Sequence, residues 1–295
     1  TVRVNAFSSS GLSSSSEAIW KDPSNHWWNI NWRYRKPITV DNPSSQDLYE
    51  YQILINLSYS SNMKSDFSDL RFTWYNVTAN REEEIPYYIE KKVDGKWVLI
   101  WVKVTEIKSS SSSTVYVYYG NPAADSASNI SATFSYSEPR TIGYIVSDKI
   151  VSNGIEIMSL CDNNTIIIGD YTFNLDEQET VSIPSNSVQI GDAVKVKGIA
   201  QIEGAGNVDD MIVPISWAGK LFIYGGMRDS QDTFCMLCPW GTASVKIYDG
   251  DDLEWSGTVD SSGVCVTKDI TSGKAVRIES DLPILVSRYG KGGED

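Results

Sequence analysis

Runs rich in Val, Ile, Tyr and Trp occupy residues 27–42, 51–60, 70–76, 85–107 and 114–122, separated by Asn-Pro, Asp-Gly or Ser clusters. Short apolar runs bounded by turn residues predict β-strands. Asp94-Gly95 stands between two such runs and predicts a two-residue hairpin, because both positions tolerate positive φ. The serines from Ser109 to Ser113 offer nothing to a core and predict the next hairpin tip. Alternation puts Trp28, Ile30 and Trp32 on one strand face, an aromatic and aliphatic face suited to a sandwich interior. A sugar-stacking platform is the functional alternative for that cluster, and His26 beside it is read as satisfying a local hydrogen bond. At the N-terminus Val2, Val4 and Ala6 alternate, and a Ser/Gly tract from Ser8 to Ser16 follows. Residues 1–24 therefore read as a strand followed by a flexible linker.

The C-terminal half repeats itself. Leu160-Cys161-Asp162-Asn163-Asn164-Thr165 aligns with Leu237-Cys238-Pro239-Trp240-Gly241-Thr242 at an offset of 77 residues. Gly191-Asp192-Ala193-Val194-Lys195-Val196 aligns with Gly273-Lys274-Ala275-Val276-Arg277-Ile278 at an offset of 82, so an insertion of five residues reconciles the two. Copies of this length are whole supersecondary units, and two of them pack most simply face to face around a shared core. The predicted organisation is an arm and linker over 1–24, a β-sandwich over 25–138, and a duplicated β-domain over 139–295 with copies near 141–225 and 226–295.

Composition agrees with this all-β reading. The chain has 295 residues, 10 Trp, 16 Tyr and 41% hydrophobic residues, enough for two domains with cores of their own. A formal net charge of −13 repels phosphate backbones and anionic lipid, so no nucleic-acid partner is expected. No apolar stretch reaches the roughly 18 residues of a membrane span, and the start at Thr1, without Met or a basic-then-apolar leader, reads as a processed chain. A single histidine leaves few parts for nucleophilic or metal-hydrolytic chemistry.

The series Trp32-Arg33-Tyr34-Arg35-Lys36-Pro37-Ile38-Thr39-Val40, Tyr51-Gln52-Ile53, Met63-Lys64-Ser65-Asp66-Phe67-Ser68-Asp69-Leu70-Arg71-Phe72, Ile85-Pro86-Tyr87-Tyr88-Ile89-Glu90, Trp101-Val102-Lys103-Val104 and Tyr118-Tyr119-Gly120-Asn121-Pro122 resembles the domain of unknown function 2341 family. The resemblance covers about residues 27–136. It implies a concanavalin-like, jelly-roll β-sandwich of large secreted or surface proteins of archaea and bacteria, and it implies no established activity.

Four features carry candidate chemistry. Asn56, Asn76, Asn129 and Asn163 each head an Asn-x-Ser/Thr sequon and accept a glycan if exposed during secretion. Cys161, Cys235, Cys238 and Cys265 are an even number in a chain read as secreted, which predicts disulfides. Cys161 and Cys238 are equivalent in the repeat, so the expected pairing is Cys161–Cys238 with Cys235–Cys265. The gap between Cys235 and Cys238 fits a metal knuckle, but no second pair or nearby His completes one. Asp249, Asp251, Asp252 and Glu254 are dense enough to hold Ca²⁺; the simpler reading is a hairpin tip with solvated charges, and Asp209-Asp210 is read the same way. Glu82-Glu83-Glu84 evokes the paired carboxylates of glycosidases, but neighbours on a strand face opposite ways, and the run reads as a solvated turn.

With no catalytic constellation, the chain reads as a structural or adhesive protein of the cell surface and not as an enzyme. The expected partner is a second copy of itself, with Val2, Val4 and Ala6 forming a donor strand that polymerises subunits into a filament or layer. The alternatives are a carbohydrate-binding module that recognises surface glycans and, behind it, a carbohydrate-active enzyme. No cofactor is implied beyond the candidate Ca²⁺.

Overall fold

The computed structural model describes residues 3–4, 27–206, 212–224, 230–270 and 274–290. The fold is all-β, as the sequence predicts, with every strand pairing antiparallel. The chain divides into two compact units, Thr1–Ser135 and Tyr136–Asp295.

The N-terminal unit is a two-sheet sandwich. Strands β1 (Arg3–Val4), β2 (Tyr34–Asn42), β8 (Ser111–Tyr119), β4 (Arg71–Asn76) and β5 (Arg81–Ile85) lie side by side in that order, and β3 (Leu48–Ser58), β7 (Trp97–Ile107) and β6 (Tyr87–Val93) form the second sheet. Alternation builds the core. Val40, Phe72, Val115 and Val117 from one sheet meet Ile53, Ile55, Val98, Ile100 and Val102 from the other, all buried. Two expected turns differ in detail. Val93 pairs with Trp97, so the Asp-Gly hairpin has a three-residue loop with Gly95 at φ 67°, because a left-handed residue closes a three-residue hairpin as readily as a two-residue one. Ser111 to Ser113 already pair with β2, and the chain crosses between sheets at residues 108–110.

The C-terminal unit contains the same sandwich twice. In the first copy β9 (Arg140–Tyr144), β14 (Ala193–Val196), β11 (Asn164–Ile168) and β12 (Tyr171–Leu175) form one sheet, and β13 (Thr180–Ile183), β10 (Ile155–Ser159) and β15 (Ala200–Gly204) the other. In the second copy β17 (Gly219–Tyr224), β22 (Val276–Gly290), β19 (Ala243–Asp249) and β20 (Asp252–Val259) match the first sheet, and β21 (Val264–Ile270), β18 (Ser230–Leu237) and β22 again match the second. One long strand, β22, does the work of both β14 and β15 by passing from sheet to sheet near Pro283. The short β16 (Val213–Pro214) extends the first copy's sheet beyond β9.

The expected shared core is corrected. Each copy closes a core of its own, Ile155, Ile157, Ile166, Ile168 and Val194 in the first and Phe234, Met236, Val245, Ile247 and Ile278 in the second. A smaller cluster joins them, with Tyr144, Val146 and Ile190 packed on Cys235, Leu237 and Leu285. The physical reason is that two sheets already face each other inside each copy, leaving only outward-facing positions for contact between copies.

Candidate functional site

The densest chemistry in the N-terminal unit lies on the outer face of its five-stranded sheet. Arg35 on β2, Thr73 on β4, Glu82 on β5 and Tyr118 on β8 alternate away from the sandwich core and are buried nonetheless. Glu82 accepts hydrogen bonds from the Arg35 guanidinium, from Thr73 Oγ1 at 2.6 Å and from the Tyr118 hydroxyl at 2.7 Å. Burial raises the Tyr118 pKa, and the Glu82 carboxylate adds to the rise, because ionising the phenol would place two negative charges side by side. The guanidinium lies 5.0 Å from the Trp27 ring centroid and 4.5 Å from that of Tyr116.

This network holds the segment from Trp27 to Trp32 against the sheet. The segment from Trp27 to Trp32 is not the expected strand. Trp32 N–H donates to the Asn29 carbonyl, closing a turn that leaves Ile30 66% exposed while Trp28 and Trp32 come together with centroids 5.0 Å apart. The Trp28 amide donates to the Tyr118 hydroxyl, and the Trp32 indole donates to the Asp69 carbonyl. The tryptophans thus cover the outside of the sheet and do not line the sandwich interior. Asn29 decides this, because its side chain accepts from the Asn31 amide and turns the chain. His26 lies outside the described residues.

The opposite end of β2 pairs with residues 3–4. Arg3 pairs with Asp41 and Val4 with Val40, which makes β1 the outermost strand of the sheet. The expected donor residues Val2 and Ala6 lie outside the described residues, and of Val4 only the backbone is described.

The remaining candidates separate. Cys235 and Cys265 form a disulfide between directly opposed residues of β18 and β21. Cys161 and Cys238 are free and buried, so the expected bond between them is corrected. The repeat places them at corresponding positions inside separate sandwiches, Cys161 beside the Ile199 backbone and Cys238 beside Pro283, so their equivalence keeps them apart. The expected Ca²⁺ ligands are not gathered either. Asp249 is buried on β19, Asp251 is exposed at the turn, and Asp252 pairs with Lys274 Nζ at 2.9 Å, so an ammonium already supplies the counter-charge. Among the described residues the ligand atoms that converge are those of Asp148, Cys235 and Cys265, the last two bonded to each other. The Glu run is strand β5 and not a turn, with Glu82 buried and Glu84 on the same face beside Arg71. Glu84 is raised by burial, and Arg71 opposes that rise. Asp209 and Asp210 lie outside the described residues.

Asn56 is exposed on β3, Asn129 caps the helix Ile130–Phe134 through its side-chain oxygen, and Asn163 is exposed in a turn. Asn76 is half-buried at the end of β4 and accepts from the Ala79 amide. Nothing in the spacing of single residues pointed to the buried Arg35–Glu82 pair. Counting alternation back from Ile85, an inward position, would have put Glu82 and Glu84 together on the outer face.

A family model described as a domain of unknown function (DUF2341) matches residues 66–139, from the loop before β4 through β8 and the helix that follows. The resemblance read from the sequence is supported over that segment, while residues 27–65 lie outside the match. No curated protein matches the chain.

Proposed function

We propose that this chain is a structural subunit of an extracellular surface, assembling into a filament or layer by exchanging its N-terminal strand between neighbours. The observation that carries the reading is the place of β1, paired through Arg3 and Val4 on the edge of the sheet and connected along the chain to the rest of the unit by residues 5–26. An edge strand of this kind finds the same N–H and C=O partners on a neighbour's β2 as on its own. Twenty-two residues of chain reach roughly 75 Å when extended, enough to cross to an adjacent subunit. The exchange makes a head-to-tail contact, which propagates unless its rotation closes a ring. The segment held against the sheet suits this role, because tension on the arm passes through Trp27, Trp28 and Trp32 into a buried ion pair. The Cys235–Cys265 disulfide supports an oxidising, extracellular setting, and the exposed sequons at Asn56, Asn129 and Asn163 suit glycosylation there.

A chain beginning at residue 8 tests the reading. Electron microscopy of the full-length protein should show ordered polymers, and the shortened chain should stay folded and unassembled. Polymers of native form from the shortened chain would refute strand exchange.

A second reading, glycan recognition, is favoured by a hollow of about 300 Å³ lined by Arg33, Tyr34, Asn62, Lys64 and Asp69, whose polar groups suit a sugar's hydroxyls. A glycan array with the full-length protein separates the two, since a subunit that only polymerises binds none.

A further inference from the structure

The outer face of the three-stranded sheet in the N-terminal unit is largely apolar. Ile53, Ile55, Val98 and Ile100 face the sandwich core, so alternation turns their neighbours outward. The outward rows across β3, β7 and β6 run Leu54–Trp101–Tyr88, Asn56–Leu99–Lys91 and Ser58–Trp97–Val93. Leu54 and Val93 are exposed, and Trp97, Leu99 and Trp101 are half-buried. Trp101 is fixed where it stands, its indole donating to Glu90 and its ring meeting the Phe134 ring edge-on with centroids 5.8 Å apart. Asn56 and Ser58 belong to one Asn-x-Ser sequon and are both exposed on this face, because residues two apart on a strand share a side. They stand on β3, the outer strand of the sheet.

The four sequons differ in what already engages their side chains. Asn76 accepts from the Ala79 amide, Asn129 accepts from the Ala132 amide, and in the Asn163 sequon the Thr165 hydroxyl bonds to Asn174. Among the described residues neither the Asn56 side chain nor the Ser58 hydroxyl is engaged in a hydrogen bond. We infer that Asn56 carries an N-linked saccharide whose first sugars lie on Leu99 between Trp97 and Trp101, an inference that rests on the extracellular reading above. Attachment joins the Asn56 amide nitrogen to the anomeric carbon of a saccharide carried on a lipid phosphate. The carbon–nitrogen bond forms as the bond from that carbon to the phosphate oxygen breaks; the lipid phosphate leaves, and one amide proton passes to water. Across an antiparallel pair the residue directly opposite is about 5 Å away and its diagonal neighbours about 7–8 Å. A sugar on Asn56 therefore reaches Leu99 directly, and the next ring reaches either tryptophan. The C–H face of a sugar suits aliphatic and aromatic surface while its hydroxyls stay in water. The saccharide covers an apolar face that otherwise meets solvent.

The test uses full-length protein from its native host, alongside Asn56→Gln made in the same host. Mass spectrometry of the peptide containing Asn56 should find it joined to a saccharide. Hydroxyl-radical footprinting read residue by residue should label Trp97, Leu99 and Trp101 about threefold more strongly in Asn56→Gln than in the parent, with Trp74 on the other sheet unchanged. Asn56 is exposed, so the variant should keep the parent's circular dichroism. An unmodified Asn56 would overturn the inference. So would a modified Asn56 whose loss leaves the labelling of the three residues unchanged, or a rise in labelling that Trp74 shares equally. Saccharides on Asn129 or Asn163 beside a bare Asn56 would overturn the inference and leave the extracellular reading standing. Polymer formation by the full-length chain tests strand exchange separately.

Discussion

The two C-terminal sandwiches have the same strand order and different residues on their outward faces. In both, inward positions of the central strand carry the core, Ile155 and Ile157 in β10 against Phe234 and Met236 in β18. The outward positions diverge: Met158 and Thr180 in one copy stand where Cys235 and Cys265 are bonded in the other, and Glu203 stands where Tyr289 reaches Asp148. The sheet edges diverge too. β9 is capped by β16, whereas among the described residues β17 pairs only with β22 and leaves Leu221 and Ile223 exposed. The inward residues of both copies close a sandwich, and the outward residues differ between them.

The largest expected effect tests whether the cores are separate. Ile168→Ala in the first copy and Ile247→Ala in the second should each cost about 2–5 kcal/mol in chemical denaturation. With no shared packing the double variant should lose the sum to within about 0.5 kcal/mol. A coupling well above that would mean one continuous core.

Next in size is the disulfide, which only the second copy has. Replacing Cys235 and Cys265 with Ser opens a loop whose ends are 30 residues apart and should cost about 3 kcal/mol. Alkylation of unreduced, denatured protein should label Cys161 and Cys238 and leave the other pair unlabelled. Labelling of none would restore the two-disulfide expectation.

The smallest effect lies at the contact between the copies. Asp148→Ala removes the acceptor of the Tyr289 hydroxyl and should cost about 1–2 kcal/mol. Hydrogen exchange should quicken at residues 260–263, against which Ile190 and Gly191 pack, and stay unchanged in β11. Uniform quickening through the first copy would contradict independent cores.

Much of this architecture was written in period-two alternation and in the repeat. The alignment of Leu160 with Leu237 and of Val194 with Val276 marks corresponding strands in the two copies. Alternation failed at Trp28-Asn29-Ile30, where the Asn29 side chain turns the backbone and exposes Ile30. Glu82 was misread because charge suggests solvent, whereas Arg35, Thr73 and Tyr118 come from three other strands to satisfy it. Partners so distant in sequence leave no local trace. The cysteine pairing failed for a related reason, since equivalence in a repeat fixes a place within each copy and not the distance between copies.

The most direct measurement is a density map of the native assembly by electron cryo-microscopy, clear enough to trace residues 1–42 of each subunit. The account predicts that the segment containing Arg3 and Val4 runs along Val40 and Asp41 of the adjacent subunit, while Trp27 to Trp32 stay on their own sheet. A polymer in which every such segment returns to its own β2, or a protein that remains monomeric at high concentration, would contradict it.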